Sequence, residues 1–170
     1  MKRGAYVIRR ATVADANTIG QHRADMYRDM GQLPIESRHD LIALTADILR
    51  ITIASGEYVG WLASTAEDET TIIGGGGALV RRRLPRVMGG AHQRIAPGRE
   101  ALIVNVFTER DWRRQGVARA ILDEILTWAR AEDFDSIVLH ASDEGRALYE
   151  AMGFRATNEM RYGGPRGERR

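Results

Sequence analysis

The sequence predicts a mixed α/β fold: a central mixed sheet of about six or seven strands flanked by about four helices, with a parallel βαβ unit in its second half. Three observations carry this. The runs "ALIVNVF" (101–107) and "SIVLHAS" (136–142) each hold an apolar stretch without alternation, as strands buried on both faces do. Between them lies the clearest helical stripe in the chain: Ala118, Ile121, Leu122, Ile125, Leu126 and Ala129. Ahead of them, "YVGWLASTAE" and "TTIIGGGGALVRR" read as two strands joined across the acidic turn "EDE".

The remaining elements follow in order. "AYVIRRAT" reads as a first strand. Thr12 and Asp15 form the spacing of a capping box, and Ala16, Ile19, Met26, Tyr27 and Met30 give a first helix ending near Met30. "GQLPIES" is a loop. Ser37 and Asp40 repeat the capping pattern before a helix striped by Leu41, Leu44, Ile48 and Leu49, with Gly56 as its stop. Residues 84–100 read as a long Gly/Pro/Arg loop. "DEGRALYEAM" is a short helix ending at Gly153, and "FRATNEMRY" (154–162) a last strand. No repeat or boundary divides the 170 residues, so one domain over 1–170 is expected, with 163–170 as a mobile tail.

Composition limits the function. Hydrophobic residues make up 44% and charged residues 28%, an ordinary globular balance. No apolar run approaches the roughly 18 residues of a membrane span, and no signal-peptide pattern opens the chain, so a cytoplasmic protein is expected. The absence of cysteine excludes disulfides, thiolate metal sites and a cysteine acyl-enzyme. Net charge is +2, with the basic excess concentrated in Arg81–Arg99 and the tail "RYGGPRGERR". That arginine stretch lacks interleaved aromatics, so nucleic acid is not an expected partner.

Two glycine segments invite a phosphate-binding reading. In "TIIGGGGALVRRRLP" neither register of G-x-G-x-x-G supplies the last glycine, since Leu79 or Val80 stands there. No amphipathic helix follows, so the segment reads as a glycine-rich strand. In "VNVFTERDWRRQGVARAIL" a buried strand leads through a polar loop to Gly116 and the amphipathic helix. Orphan N–H groups and the positive end of the helix dipole would face an anion there. Gly116 permits positive φ and close backbone approach, Ala118 is small, and Arg113 and Arg114 add charge. The same residues also suit a plain helix start with an arginine pair.

"RRQGVA", after an apolar strand and opening a helix, resembles the acyl-CoA loop of the GNAT-type N-acetyltransferase superfamily. "ASDEGRALYEAMGF" resembles that family's fourth-helix signature, "IIGGGGALV" its glycine-tolerant third strand, and "VIRRATVADA" its first strand and capped helix. The resemblance spans about residues 5 to 162. It implies a GNAT-like sheet in which two central parallel strands splay apart to admit pantetheine. Acetyl-CoA is then the co-substrate, and no metal is expected.

Residue by residue, the resemblance places Val106, Phe107 and Thr108 beside the pantetheine amides. Arg113 matches the loop arginine, and Arg114, Gln115, Gly116, Val117, Ala118 and Arg119 fall where main-chain N–H groups hold the pyrophosphate. Tyr149 matches the tyrosine whose phenol protonates the departing CoA thiolate. Ser142 stands where an asparagine is common, to bond pantetheine or to cap the helix. Asn105 stands where many members carry a glutamate base; it could position substrate or water, or satisfy a strand bulge. Candidates for the missing base are His140, Glu109, His22 or a chain of waters.

The acceptor expected is a small-molecule primary amine, attacking directly in a ternary complex. A protein N-terminus or lysine is the alternative acceptor, and a non-catalytic CoA-binding module the alternative of another class. Asp25, Asp29, Glu36 and Asp40, in the helices that shape the acceptor site, would attract a cation, whereas the arginine-rich stretch would favour an anion. A homodimer stays open.

Overall fold

The computed structural model describes residues 6–89, 93–157 and 159–160. The chain divides into two compact units, Met1–His140 and Ala141–Arg170.

In the first unit, β1 (Tyr6–Arg10) leads to α1 (Ala16–Asp29) and α2 (Arg38–Ser55). Then come β2 (Tyr58–Thr65), β3 (Ile72–Arg82), β4 (Arg86–Met88), β5 (Arg94–Ala96), β6 (Arg99–Thr108), α3 (Val117–Ala131) and β7 (Ser136–Leu139). Among the described residues the main sheet has five strands in the order β1-β2-β3-β6-β7. All its pairs are antiparallel except β6–β7, the expected parallel unit. β4 and β5 form a separate two-stranded sheet inside the stretch read as a loop. The strands of the expected six- to seven-stranded sheet are therefore divided between a large sheet and a small one.

Local chemistry sets the helix ends. The Asp15 carboxylate accepts from the Thr12 N–H at 2.7 Å and its hydroxyl at 3.0 Å, and pairs with Arg9 at 2.8 Å. Those bonds hold it down to about 2. The second expected cap does not form: Ser37 makes no side-chain cap bond, and a 3-10 turn over Ile35–Ser37 leads into α2 instead. Gly56 closes α2 in the left-handed conformation, φ 77°.

The glycines of β3 let both helical layers approach the sheet. Strand residues alternate faces. A Cβ on Gly74 would lie 3.2 Å from Val117, and one on Gly76 3.0 Å from Ile121, both on α3. A Cβ on Gly75 would meet Leu62 at 2.8 Å and His22 at 3.2 Å. One on Gly77 would lie 2.3 Å from the Tyr58 hydroxyl. The stripe read from sequence forms the α3 core, with Ile121, Leu122 and Ile125 wholly buried. Each contributes roughly 1.5–3 kcal/mol. Under α1 and α2 the core is Ala16, Ile19, Ala46, Leu49, Tyr58 and Leu62.

Many arginines of residues 81–99 are spent on structure. The buried Glu100 carboxylate accepts from Arg83 at 2.6 Å and Ser136 at 3.1 Å, with Arg81 at 3.8 Å. Arg94 and Arg99 pair with Asp135 and Glu132.

The second unit contains α4 (Asp143–Ala151). The expected last strand does not form over residues 154–157 or 159–160. Gly153 turns at φ 92°, and the Phe154 N–H folds back to the Tyr149 carbonyl at 3.0 Å, capping the helix instead of extending the chain. Asn158, Arg161, Tyr162 and the tail 163–170 lie outside the described residues.

Candidate active site

The site begins where β6 and β7 part. Their parallel pairing runs from Glu100↔Ser136 to Ile103↔Leu139, where β7 ends. β6 continues to Thr108, and among the described residues no strand pairs with it on that side beyond Ile103. A bulge falls just past the parting. The β3–β6 register shifts between Gly75↔Phe107 and Gly77↔Val104. Asn105 takes φ 58°, a left-handed conformation that asparagine tolerates better than most residues.

After Thr108 the chain turns tightly. The Glu109 N–H donates to the Ile73 carbonyl at 2.9 Å, and a 3-10 turn spans Arg110–Trp112. Arg114 (φ 63°) and Gly116 (φ 87°) are both left-handed, and α3 starts at Val117. Among the described residues no N–H from Arg114 to Arg119 makes a hydrogen bond of good geometry, while the Ala120 N–H pairs with the Gly116 carbonyl at 3.0 Å. Six consecutive donors and the positive helix end thus surround one turn.

The side chains around this turn brace it. Arg113 donates through Nε to the Thr108 carbonyl at 3.0 Å, lies 5.8 Å from the Phe107 ring centre, and pairs with Asp29. Arg110 reaches the other Asp29 oxygen at 2.6 Å. Asp29 ends α1, where the helix dipole disfavours an anion. The two guanidiniums outweigh its burial and hold it at about 2. Gln115 Nε2 donates to the Asp111 carbonyl at 2.7 Å. Val117 is buried, Ala118 half-buried, and Arg114 and Arg119 are exposed. Phe107 and Thr108 are buried and Val106 is half-buried.

Beside the bulge lies a polar cluster. Arg23 of α1 donates to Asn105 Oδ1 at 2.5 Å and to the Tyr27 hydroxyl at 3.3 Å. The Tyr58 phenol is wholly buried, makes no hydrogen bond of good geometry, and is pushed up to about 12 by burial. His22 packs against Phe107, ring centres 5.0 Å apart, and burial pushes it down to about 4. Its imidazole is neutral at pH 7 and a weak base. Burial and the neighbouring Asp25 raise the Glu109 carboxyl. His140 follows β7 and is exposed.

In the second unit Ser142 caps α4, accepting from the Gly145 N–H at 3.2 Å. Tyr149 stands edge-on to Phe154 at 6.1 Å. Its ring lies against Gly145, where a Cβ would come within 2.7 Å. Burial raises the phenol above its ordinary range.

The structure brings Asn105, Val106, Phe107, Thr108 and the turn at residues 113–119 into one continuous segment at the parting of two strands. Arg23 and Tyr58 were missed in the sequence reading. Arg23 carried a signal, because it follows Ile19 by one helical turn and so falls on the buried stripe of α1. Tyr58 read only as a strand residue.

Among the described residues, the sheet thus opens beside a helix start whose first N–H groups are unpaired. The chain belongs to the acetyltransferase (GNAT) family, whose sequence pattern matches residues 21–154. A GCN5-related N-acetyltransferase from Ralstonia eutropha JMP134 superposes with a TM-score of 0.78 at 22% identity, over 92% of this chain and 97% of that one. A protein from Clostridium acetobutylicum described as a predicted acetyltransferase, solved with acetyl-CoA, gives 0.76 at 25% identity, over 92% and 94%. Human N-acetyltransferase 8 is 30% identical over 60 residues, 34% of this chain, and the match spans 26% of that protein's length. Among the described residues no cluster of His, Cys, Asp and Glu could hold a metal, and no helix is long and apolar enough to cross a membrane.

Proposed function

We propose that this protein transfers the acetyl group of acetyl-CoA to the primary amine of a small molecule, by direct attack within a ternary complex. The turn before α3 carries this reading: among the described residues, N–H groups from Arg114 to Arg119 have no hydrogen bond of good geometry and the β6 edge is unpaired beyond Ile103. The diphosphate takes those donors, and pantetheine runs along residues 104–108 like a missing strand. The Clostridium relative solved with acetyl-CoA supports the choice of carrier. Arg113 braces the turn through Asp29, so main-chain N–H groups do the binding.

The neutral amine attacks the thioester carbonyl, the tetrahedral intermediate collapses, and the C–S bond breaks with the electron pair leaving on sulfur; the proton the nitrogen loses passes to water and from there restores the Tyr149 phenol. Tyr149 supplies the proton to that thiolate. The phenol is protonated at neutral pH, and burial raises it further; giving its proton to a thiolate of ordinary pKa near 8.5 is modestly uphill and is drawn forward by amide formation. The absence of cysteine leaves no thiol to carry the acetyl group.

Release of CoA thiol from acetyl-CoA in the presence of amines measures the reaction. Tyr149→Phe is expected to lower kcat about 100-fold at neutral pH with acetyl-CoA affinity unchanged. An undiminished kcat would remove Tyr149 from the mechanism. Acetyl-CoA binding without thiol release from any amine would make the protein a binding module.

A further inference from the structure

Among the described residues Arg23 is a cation with no carboxylate in ion-pair distance. It is half-buried on α1, and its partners among the described residues are the Asn105 amide oxygen and the Tyr27 hydroxyl, both neutral. Tyr58, beside it, is a neutral phenol as well. The carboxylates of the same helix are taken. Asp25 pairs with Arg28 at 2.8 Å and Arg38 at 3.0 Å, and Asp29 pairs with Arg110 and Arg113. The acidic residues that would draw a cationic acceptor toward α1 are therefore already neutralised, and Glu36 and Asp40 are exposed on the following segment.

A guanidinium carries five N–H donors in a planar fork, and the two bonds of Arg23 leave the others for a ligand. Half-burying such a group with neutral partners is unfavourable, and an incoming anion relieves that cost. Its position matters too. Arg23 is anchored to Asn105, two residues past the last β6–β7 pair, at the bulge where the strands have parted.

We propose that Arg23 receives an anionic group of the acceptor, so that the amine acetylated carries a carboxylate or a phosphate. The inference rests on the acetyl-transfer reading above and names the acceptor class for the same site. The Asn105 bond aims the fork, and the Tyr27 ring, 5.1 Å from the guanidinium carbon, stacks on one side of it.

The test compares matched amines in the thiol-release assay: alanine against alaninamide and phenylalanine against phenylalaninamide for carboxylate, phosphoethanolamine against ethanolamine for phosphate. Calorimetry with acetyl-CoA runs in parallel. Wild type is expected to favour the anionic member of at least one pair by about tenfold or more in kcat/KM. The pair that responds identifies the anion. Arg23→Gln should abolish that preference with acetyl-CoA affinity unchanged, and Arg23→Lys should keep part of it. The proposal is overturned if neutral members serve equally well, if the preference survives in Arg23→Gln, or if no anionic member reacts while acetyl-CoA binds. Failure of wild type to bind acetyl-CoA would instead sink the transfer reading.

Discussion

Two glycine-bearing segments of this chain look alike in letters and differ in physics. Residues Gly74–Gly77 lie inside β3, and what they lack is side-chain volume: a Cβ at Gly75 or Gly77 would strike Leu62 or Tyr58. Gly116 precedes α3, and what it supplies is a backbone conformation, φ 87°, at the turn whose N–H groups make no hydrogen bond of good geometry among the described residues. The first segment uses glycine to bring layers together. The second uses it to keep donors unpaired. Substitutions at the two places should therefore fail in different ways.

The largest expected effect is at the turn. Gly116→Trp should remove acetyl-CoA binding beyond calorimetric detection, because a bulky residue resists positive φ and its side chain crowds the donors. The thermal midpoint should fall by only a few degrees, the cost of a non-glycine residue at positive φ, while the fold is kept. Unchanged affinity would show that the carrier is held elsewhere.

Next comes the strand. Gly77→Val should cost about 2–3 kcal/mol by overpacking against Tyr58 and the Val59 carbonyl. Whatever fraction still folds should keep its affinity for acetyl-CoA. Urea denaturation checks the first half and calorimetry the second. A variant as stable as wild type would contradict the close packing.

The smallest effect concerns His22, which packs over Gly75 on that same face of β3. Its folded value, about 4, lies below the ordinary 6.5. The unfolded chain therefore takes up the proton first, and stability present above pH 6.5 falls as pH drops toward 4. Between pH 7 and about pH 4.5 the loss should be about 2 kcal/mol, read from urea midpoints. His22→Gln should flatten that slope. A slope that persists in the variant would assign it to other groups.

The sequence made the two segments distinguishable because periodicity and spacing are local. The absent third glycine at Leu79 or Val80 argued against a dinucleotide loop, and the stripe from Ala118 to Ala129 marked the helix that Gly116 opens. The parallel β6–β7 unit was legible for the same reason. What escaped depends on pairing across the chain. The β4–β5 sheet hid in a stretch rich in glycine, proline and arginine, since its three-residue strands carry almost no alternation. The final strand was read into residues where the Gly153 turn and the Phe154 N–H finish α4 instead. Asp29 looked like a lure for a cationic acceptor, and only the fold reveals that Arg110 and Arg113, from the far side of the chain, consume it. Arg23 lies on the buried stripe of α1, but a charge on a helix is ordinarily solvated, so its place beside Asn105 is legible only in the fold.

The central claim is that main-chain donors ahead of α3 hold the diphosphate of acetyl-CoA while pantetheine lies along the open edge of β6. A crystal structure of the full chain with acetyl-CoA tests it most directly. The expected result places diphosphate oxygens within hydrogen-bond distance of N–H groups between Arg114 and Arg119, with the thioester beside Asn105. A carrier bound away from that turn, or the turn left empty at saturating acetyl-CoA, would contradict it.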